Sequence, residues 1–380
     1  MALKTIFVLA AIAPIAMLLL LQLGNPPKTG LATAGVQGQE PINIGFLTAL
    51  TGDAAPWGEG VKAGAELAFD EIKNEPINGR QVRLVFEDDK CDGKTGLSAT
   101  IKLTEMDNAK ITTGTVCSSV VLAAAQVFEK NNVIHLSLGA SSPAITSAGD
   151  YIFRLWPSDS FEGAEIARFA AKNLGAESAA VLFINNDYGV GLKGAFAGEF
   201  EASGGKIKIS EPFEVNAKDF RTQLERIKAS GAAAIFFASN PRDAPIILKQ
   251  IKELGISGKI LANGPAIEAK DTLDAAGGTA EGVFFAQAKH PANEEFEKKF
   301  EKKFGKKPDF LANVGYDGIM LLFNAIKACG GDGTGCIKEQ LYKTQGFEGV
   351  SAAISFDKNG DVVVPFEIME IISGKPAAPE

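Results

Sequence analysis

Histidine is nearly absent from this chain. Two occur in 380 residues, His135 and His290, and neither belongs to a metal-ligand motif. The chain has no HExxH pair, no GxSxG elbow, no Walker phosphate loop and no CxxC pair. Hydrolytic and zinc chemistry therefore lack their usual residues, and neither an enzyme activity nor a metal or other cofactor is expected. Positive charge is in deficit too: 38 Lys and Arg stand against 46 Asp and Glu, for a formal net charge of −8. A nucleic-acid surface needs clustered cations to displace counterions from phosphates, so no nucleic-acid partner is expected. Long apolar runs are missing after residue 41, which excludes a second membrane span.

What is present begins with an address. "MALKTIFVLAAIAPIAMLLLLQLG" carries one early cation, Lys4, and an apolar run from Ile6 to Leu23. Small residues follow at Ala32 and Ala34. Residues 1–34 read as a secretory signal peptide cut after Ala34, or as an N-terminal membrane anchor that stays in place. No cysteine lies near the run, so a lipid-modified N-terminal Cys is excluded. Under either reading the body of the protein is exported, to the periplasm or the extracellular space. Four cysteines in an exported chain favour disulfides. Three pairings exist on paper; Cys329 and Cys336 bracket the flexible "GGDGTG" and can close locally, which leaves Cys91 with Cys117.

The length exceeds what one core usually covers, so two domains are expected. From residue 42 short β runs ("INIGFLT", "QVRLVFEDD", "KITTGTV", "VIHLSLG") alternate with helical spacing, as in "GEGVKAGAELAFDEI". That alternation predicts an α/β fold with parallel sheets covered on both faces. It breaks at "YIFRLWPSDSFEG", resumes through "AAVLFIN", "AAAIFFAS" and "KILANG", and breaks again near "VFFAQAKHPAN". In "NEEFEKKFEKKFGKKP", Phe296, Phe300 and Phe304 recur every fourth residue, the pattern of a surface helix docking one apolar stripe. "SAAISFD" and "DVVVPFEIMEII" read as two strands joined by the Asn-Gly turn of "DKNGD", which lacks the later glutamate of a calcium loop.

Two glycine-rich signals point elsewhere than they first suggest. "GVGLKG" puts Gly189, Gly191 and Gly194 in dinucleotide-fingerprint spacing, but "NNDY" separates them from the preceding strand, where the fingerprint needs its first glycine in the turn itself. The stretch reads instead as a loop presenting Tyr188 before a helix. In "GTVCSSVVLAAA" and "LSLGASSPA", successive apolar strands each end on paired serines, Ser118–Ser119 and Ser141–Ser142. A helix N-terminus offers unpaired N–H groups and partial positive charge, and the carboxyl edge of an open α/β sheet is where ligands bind. Two such termini make a cradle for a small carboxylate, with Trp57 placed to wall it.

Taken together, "IGFLTALTGDAAPWGEGVKAGAELAFDEI", "EDDKCD", "GTVCSS", "LSLGASSPAIT", "NNDYGVGL", "VGYDG" and "SFDKNGD" resemble the type I periplasmic binding proteins, in particular the leucine/isoleucine/valine-binding branch that serves branched-chain amino acid ABC importers. The resemblance covers nearly everything after residue 41. It implies two Rossmann-like lobes joined by a three-stranded hinge, lobe one spanning 42–155 plus 283–363 and lobe two 156–282 plus 364–380. It implies a disulfide matching Cys91–Cys117, and a solute receptor that hands an amino acid or related small carboxylate to a membrane permease. Carried over by residue, Ser118, Gly139 and Ser141 hold the ligand's polar end, and Trp57 and Tyr188 wall its side chain. An aromatic of the second lobe falls near Ser239 or Asn240. The family's carboxylate for the ligand ammonium falls at Ala266. That leaves the ammonium to Glu268 or Asp317, or implies a ligand that is not a standard α-amino acid. The alternative function is a ligand-sensing domain of a signalling system. The end at "SGKPAAPE", with no effector after it, favours the free receptor.

Overall fold

The computed structural model describes residues 39–289 and 291–379. The leader expected over residues 1–34 lies outside them, as does His290. Among the described residues no helix is long and apolar enough to cross a membrane.

Two sheets organise the chain. The first contains β1 (Ile42–Thr48), β2 (Val82–Asp88), β3 (Ile111–Thr113), β4 (Ile134–Ser137) and β5 (Ile152–Arg154) in the order β2-β1-β3-β4-β5. Every pairing in it is parallel. Ile42, Ile44, Phe46 and Leu47 of β1 are all fully buried, as expected of a strand covered on both faces. Helices α1 (Ala55–Ile72), α2 (Gly93–Ile101) and α3 (Ser118–Asn131) connect these strands.

The chain then crosses to the second sheet, which begins with β6 (Ser178–Ile184), β7 (Lys206–Phe213), β8 (Ala234–Ala238), β9 (Lys259–Asn263) and β10 (Phe284–Ala288). Helices α4 (Asp159–Lys172), α5 (Asp187–Ala202), α6 (Arg221–Ser230), α7 (Ala244–Glu253), α8 (Gly264–Ile267) and α9 (Lys270–Ala276) alternate with them. It returns through α10 (Glu294–Phe304), α11 (Ala312–Cys329), α12 (Thr334–Tyr342) and a small pair, β11 (Phe347–Glu348) and β12 (Ala353–Ile354). Finally β13 (Phe366–Ile372) and β14 (Lys375–Ala377) complete the second sheet, in the order β14-β13-β10-β9-β8-β6-β7. The chain thus passes between the sheets three times.

Two expectations need correction. The second crossing was expected at 282/283, but β10 pairs parallel with β9 and antiparallel with β13, so Phe284–Ala288 belongs to the second sheet and the crossing follows it. The strands expected over 351–357 and 361–372 do not pair as a hairpin either. The turn at 357–361 closes on a single antiparallel bridge, Phe356–Val362, because the chain beyond Val364 leaves to join β10.

Helices α1 and α11 approach closely through glycine. A Cβ at Gly64 would lie 1.7 Å from the Ala312 carbonyl oxygen, and one at Gly315 would lie 2.1 Å from that of Val61. This contact fixes the segment just before α11, Phe310–Leu311, next to the start of α1. On α10, Phe296 and Phe300 are buried, so the expected apolar stripe docks as read from its spacing.

His135 lies in the core of the first sheet. It stacks on Phe128, with ring centroids 4.3 Å apart, and its two ring nitrogens meet the hydroxyls of Thr112 and Thr115 at 2.9 and 2.8 Å. Burial lowers its pKa from the usual 6.5 to about 3. Below pH 6.5 the unfolded chain takes up a proton that the folded one refuses, so this residue lowers stability as the pH falls towards 3. The limiting slope is about 1.4 kcal/mol per pH unit. His135→Gln should therefore gain stability relative to the parent on acidification, read by urea denaturation across that window.

Candidate functional site

Both sheets carry the strand order of a doubly wound fold, and each has a switch point: between β1 and β3 in the first, between β6 and β8 in the second. Ligands bind outside the carboxyl ends of strands at such points. Trp57 follows β1 and Ser118 follows β3; Tyr188 follows β6 and Asn240 follows β8. All four line one cavity, which holds about 470 Å³ of unfilled space, its mouth included. The two switch points therefore face each other across it.

The first-sheet side is the serine cradle. Cys117 is the N-cap of α3 and is bonded to Cys91, which anchors the start of the helix to the loop after β2. The opening amides of α3 have no acceptor within the helix. The buried Ser118 Oγ accepts N–H bonds from Ser141 at 3.3 Å and Ser142 at 3.1 Å. This hydroxyl joins the two serine-tipped chain ends and keeps one proton to donate. Gly139 is held by its amide to the Thr115 carbonyl at 3.0 Å, and a Cβ there would crowd Leu311 and Val116 at 3.1 Å. Ser118, Ser119, Gly139 and Ser141 all line the cavity.

The opposite side is aromatic and amide-rich. Tyr188 lies in the first turn of α5, not in a loop, where Asn186 caps the helix by accepting the Gly189 amide at 2.9 Å. Its ring meets Trp57 edge-on, centroids 6.3 Å apart, and its hydroxyl accepts from Asn263 Nδ2 at 2.7 Å. Burial and the nearby carboxylates Glu162 and Asp159 push the phenol well above its ordinary pKa, so it stays neutral. Trp156, Phe310, Leu311 and Pro265 complete the wall and were missed in the sequence. Trp156 sits in "RLWPSD", the first crossing; it packs edge-on against Phe310 at 5.4 Å.

The two carboxylates expected to replace the one missing at Ala266 stand elsewhere. Asp317 is buried in mid-α11 and accepts the amides of Val350 and Ser351 at 2.7 and 2.8 Å, tying down the β11–β12 turn. It does not line the cavity. Glu268 borders a wider adjoining cleft and accepts from Gln287 at 2.6 Å; burial raises it to about 7. Ala266 is buried in α8. Two other acids lie close to the cradle. Asp159 opens α4; its amide donates to the Ser141 carbonyl at 2.8 Å, and neither carboxylate oxygen has a well-formed hydrogen bond. Burial raises it to about 7, while the Ser141 side chain and Arg154 favour its charge. One turn on, the buried Glu162 accepts the Gly264 amide at 2.8 Å and is raised by burial and by the Asp159 charge.

Both cysteine pairings form, Cys91–Cys117 and Cys329–Cys336. Among the described residues no group of three or more His, Cys, Asp or Glu is placed to hold a metal ion.

A family model described as "Periplasmic binding protein" matches residues 41–376. The leucine-, isoleucine-, valine-, threonine- and alanine-binding protein of Pseudomonas aeruginosa is 27% identical over 330 residues, covering 85% of this chain and 87% of that one. The crystal structure of a leucine-binding protein from Thermotoga maritima superposes with a TM-score of 0.82 at 29% identity, over 89% of this chain and 98% of that one. A solute-binding protein of an ABC transporter from Rhodopseudomonas palustris, in complex with 3,4-dihydroxybenzoic acid, gives 0.77 at 26% identity, over 88% and 95%.

Proposed function

This chain belongs to the periplasmic binding protein family, exported receptors of small solutes and not enzymes, and on that premise we propose that it is the receptor of an ABC importer for an α-amino acid with an apolar side chain. The ligand carboxylate would take the Ser118 hydroxyl and the opening amides of α3. Trp57, Tyr188, Trp156 and Phe310 would enclose the side chain as the two lobes close. The observation that carries this reading is the junction at Ser118, where one hydroxyl gathers both serine-tipped ends beside a helix N-terminus at the first switch point.

A second ligand class has its own support. No carboxylate stands at Ala266, none among the described residues lines the cavity itself, and the Rhodopseudomonas palustris protein was crystallised with an aromatic acid that carries no amine. An aromatic carboxylate is the competing solute. Calorimetric titration with leucine, valine, phenylalanine and benzoate separates the two. Ser118→Ala should weaken the bound solute about 5- to 150-fold, the cost of about 1–3 kcal/mol for removing a hydrogen bond to a charged group. Unchanged affinity in that variant would reject the cradle as the carboxylate site.

A further inference from the structure

We propose that Gly191 sets how far the second-sheet side closes onto the serine cradle: α5 is seated there, and the missing side chain is what lets the cavity shut. This rests on the cavity reading above and adds to it a positioning residue that does not itself line the cavity.

The first argument is placement. The three glycines of "GVGLKG" all lie on α5, and each meets different surroundings. A Cβ at Gly189 would lie 2.1 Å from the Ile184 carbonyl oxygen, so this glycine serves the turn from β6 into the helix. A Cβ at Gly194 would meet nothing within 4 Å. A Cβ at Gly191 would lie 2.8 Å from Pro143 Cδ and 2.9 Å from Ser142 Oγ, atoms of the segment that continues from Ser141 on the first-sheet side. Gly191 thus marks a point where the two sides of the cavity touch directly. Tyr188 precedes it by three residues, on the same face of α5. One face of the helix therefore walls the cavity and seats the closure.

The second argument is stiffness. Elsewhere the two sides meet through side chains that can yield. Trp57 meets Tyr188 edge-on at 6.3 Å. Asp53, in the loop after β1, is reached by Lys218 at 3.4 Å and by Arg242 at 3.5 Å, two long and exposed side chains from the loops after β7 and β8. The Ser142–Pro143 segment has no such freedom. The Ser142 amide donates to Ser118 Oγ at 3.1 Å, its carbonyl accepts from Arg154 at 2.9 Å, and Pro143 is a closed ring with a fixed φ. Packed interiors do not absorb an overlap of this size without a shift. A methyl group at 191 therefore leaves two outcomes. Either the segment moves and takes the Ser118 and Ser141 contacts with it, or α5 stands off and withdraws Tyr188 from Trp57. Both loosen the hold on the solute.

The test compares the parent with Gly191→Ala and Gly194→Ala, the same change made three residues apart on α5. Alanine gains over glycine within a helix, so neither substitution should lower the urea midpoint of the solute-free protein. Binding is followed with leucine and with benzoate, by calorimetry and by the fluorescence of Trp57 and Trp156, the chain's two tryptophans, both of which line the cavity. For whichever solute binds the parent, Gly191→Ala should weaken it at least roughly tenfold, and Gly194→Ala should leave it within about twofold. The loss should lie in the dissociation rate, with association within about threefold of the parent, because the contact forms only on closing. Pro143→Ala removes the ring atom that the new methyl group meets. The double variant Gly191→Ala with Pro143→Ala should therefore recover part of the loss, measured against Pro143→Ala alone, and this coupling decides the question if Gly191→Ala melts early. Parent-like affinity in Gly191→Ala, or equal losses in Gly191→Ala and Gly194→Ala, overturns the inference while a Ser118-dependent carboxylate site survives. If neither solute binds the parent, the cavity reading fails and the seat fails with it.

Discussion

Replacing Arg154 with alanine should lower the free energy of unfolding by about 3–5 kcal/mol and loosen the ligand cradle at the same time. The side chain is fully buried, and its guanidinium makes five hydrogen bonds. Nε and one terminal nitrogen grip the two oxygens of Asp361 at 2.6 and 2.8 Å, and the latter also meets Thr146 Oγ1 at 2.6 Å. The other terminal nitrogen donates to the carbonyls of Ser141 and Ser142 at 3.1 and 2.9 Å. Arg154 ends β5, beside the first crossing, and Asp361 immediately precedes the third. One guanidinium thus joins two hinge segments to the loop that presents Ser141. Deleting it strands a buried carboxylate and takes one of two donors from each serine carbonyl, the costly outcome for a buried pair. The double variant Arg154→Met with Asp361→Leu removes both charges and should recover most of the stability, because a well-packed apolar pair replaces a buried ion pair at little loss. It should not recover affinity, since the guanidinium's two bonds to the serine carbonyls stay lost. Urea denaturation reads the first effect and calorimetry the second. An alanine variant as stable as the parent would show that the pair contributes little.

This pair was invisible in the sequence for a physical reason. Arg154 and Asp361 lie 207 residues apart, and nothing local marks either as a partner. What was legible was local or periodic. Alternating β and helical spacing gave the parallel sheets, and the paired serines and flanking aromatics gave Ser118, Ser141, Trp57 and Tyr188, which share one cavity. Apart from Tyr188, which lies in a helix and not in a loop, the failures are questions of which distant segment a residue meets. Phe284–Ala288 is equally apolar whichever sheet it joins, and only its pairing with β9 and β13 decides. Asp317 in "GYDG" looks free in sequence but is taken by the amides of residues 350 and 351. Asp159 in "PSDSFEG" looks like an ordinary first-turn acid of a helix, stabilised by the dipole. Only the fold buries it next to Ser141. A signal for it did exist: an acid directly after the break in the αβ rhythm, at the crossing between lobes, where a cleft must open.

The remaining large effect concerns the Cys91–Cys117 disulfide. Opening it should cost about 3–4 kcal/mol of stability, because it closes a long loop in the unfolded chain. The bond spans 26 residues, whereas Cys329–Cys336 spans 7, so loss of the second should cost less, about 2–2.5 kcal/mol on the same chain-entropy relation. The two also differ in function. Cys117 is the residue from which α3 springs, one position before Ser118, and both cysteines of the long bridge line the cavity. Asp89 holds the other end by accepting the Cys91 amide at 2.7 Å. Cutting this bridge frees the opening amides of α3 to drift from the Ser141 loop, which the Ser118 hydroxyl alone must then hold. Cys91→Ser with Cys117→Ser should therefore lose ligand affinity as well as stability. Cys329→Ser with Cys336→Ser, at the far end of α11, should lose stability only. Paired denaturation and ligand titration of the two double variants separate the roles; equal affinity loss in both would mean that the long bridge acts through general stability and not through the cradle.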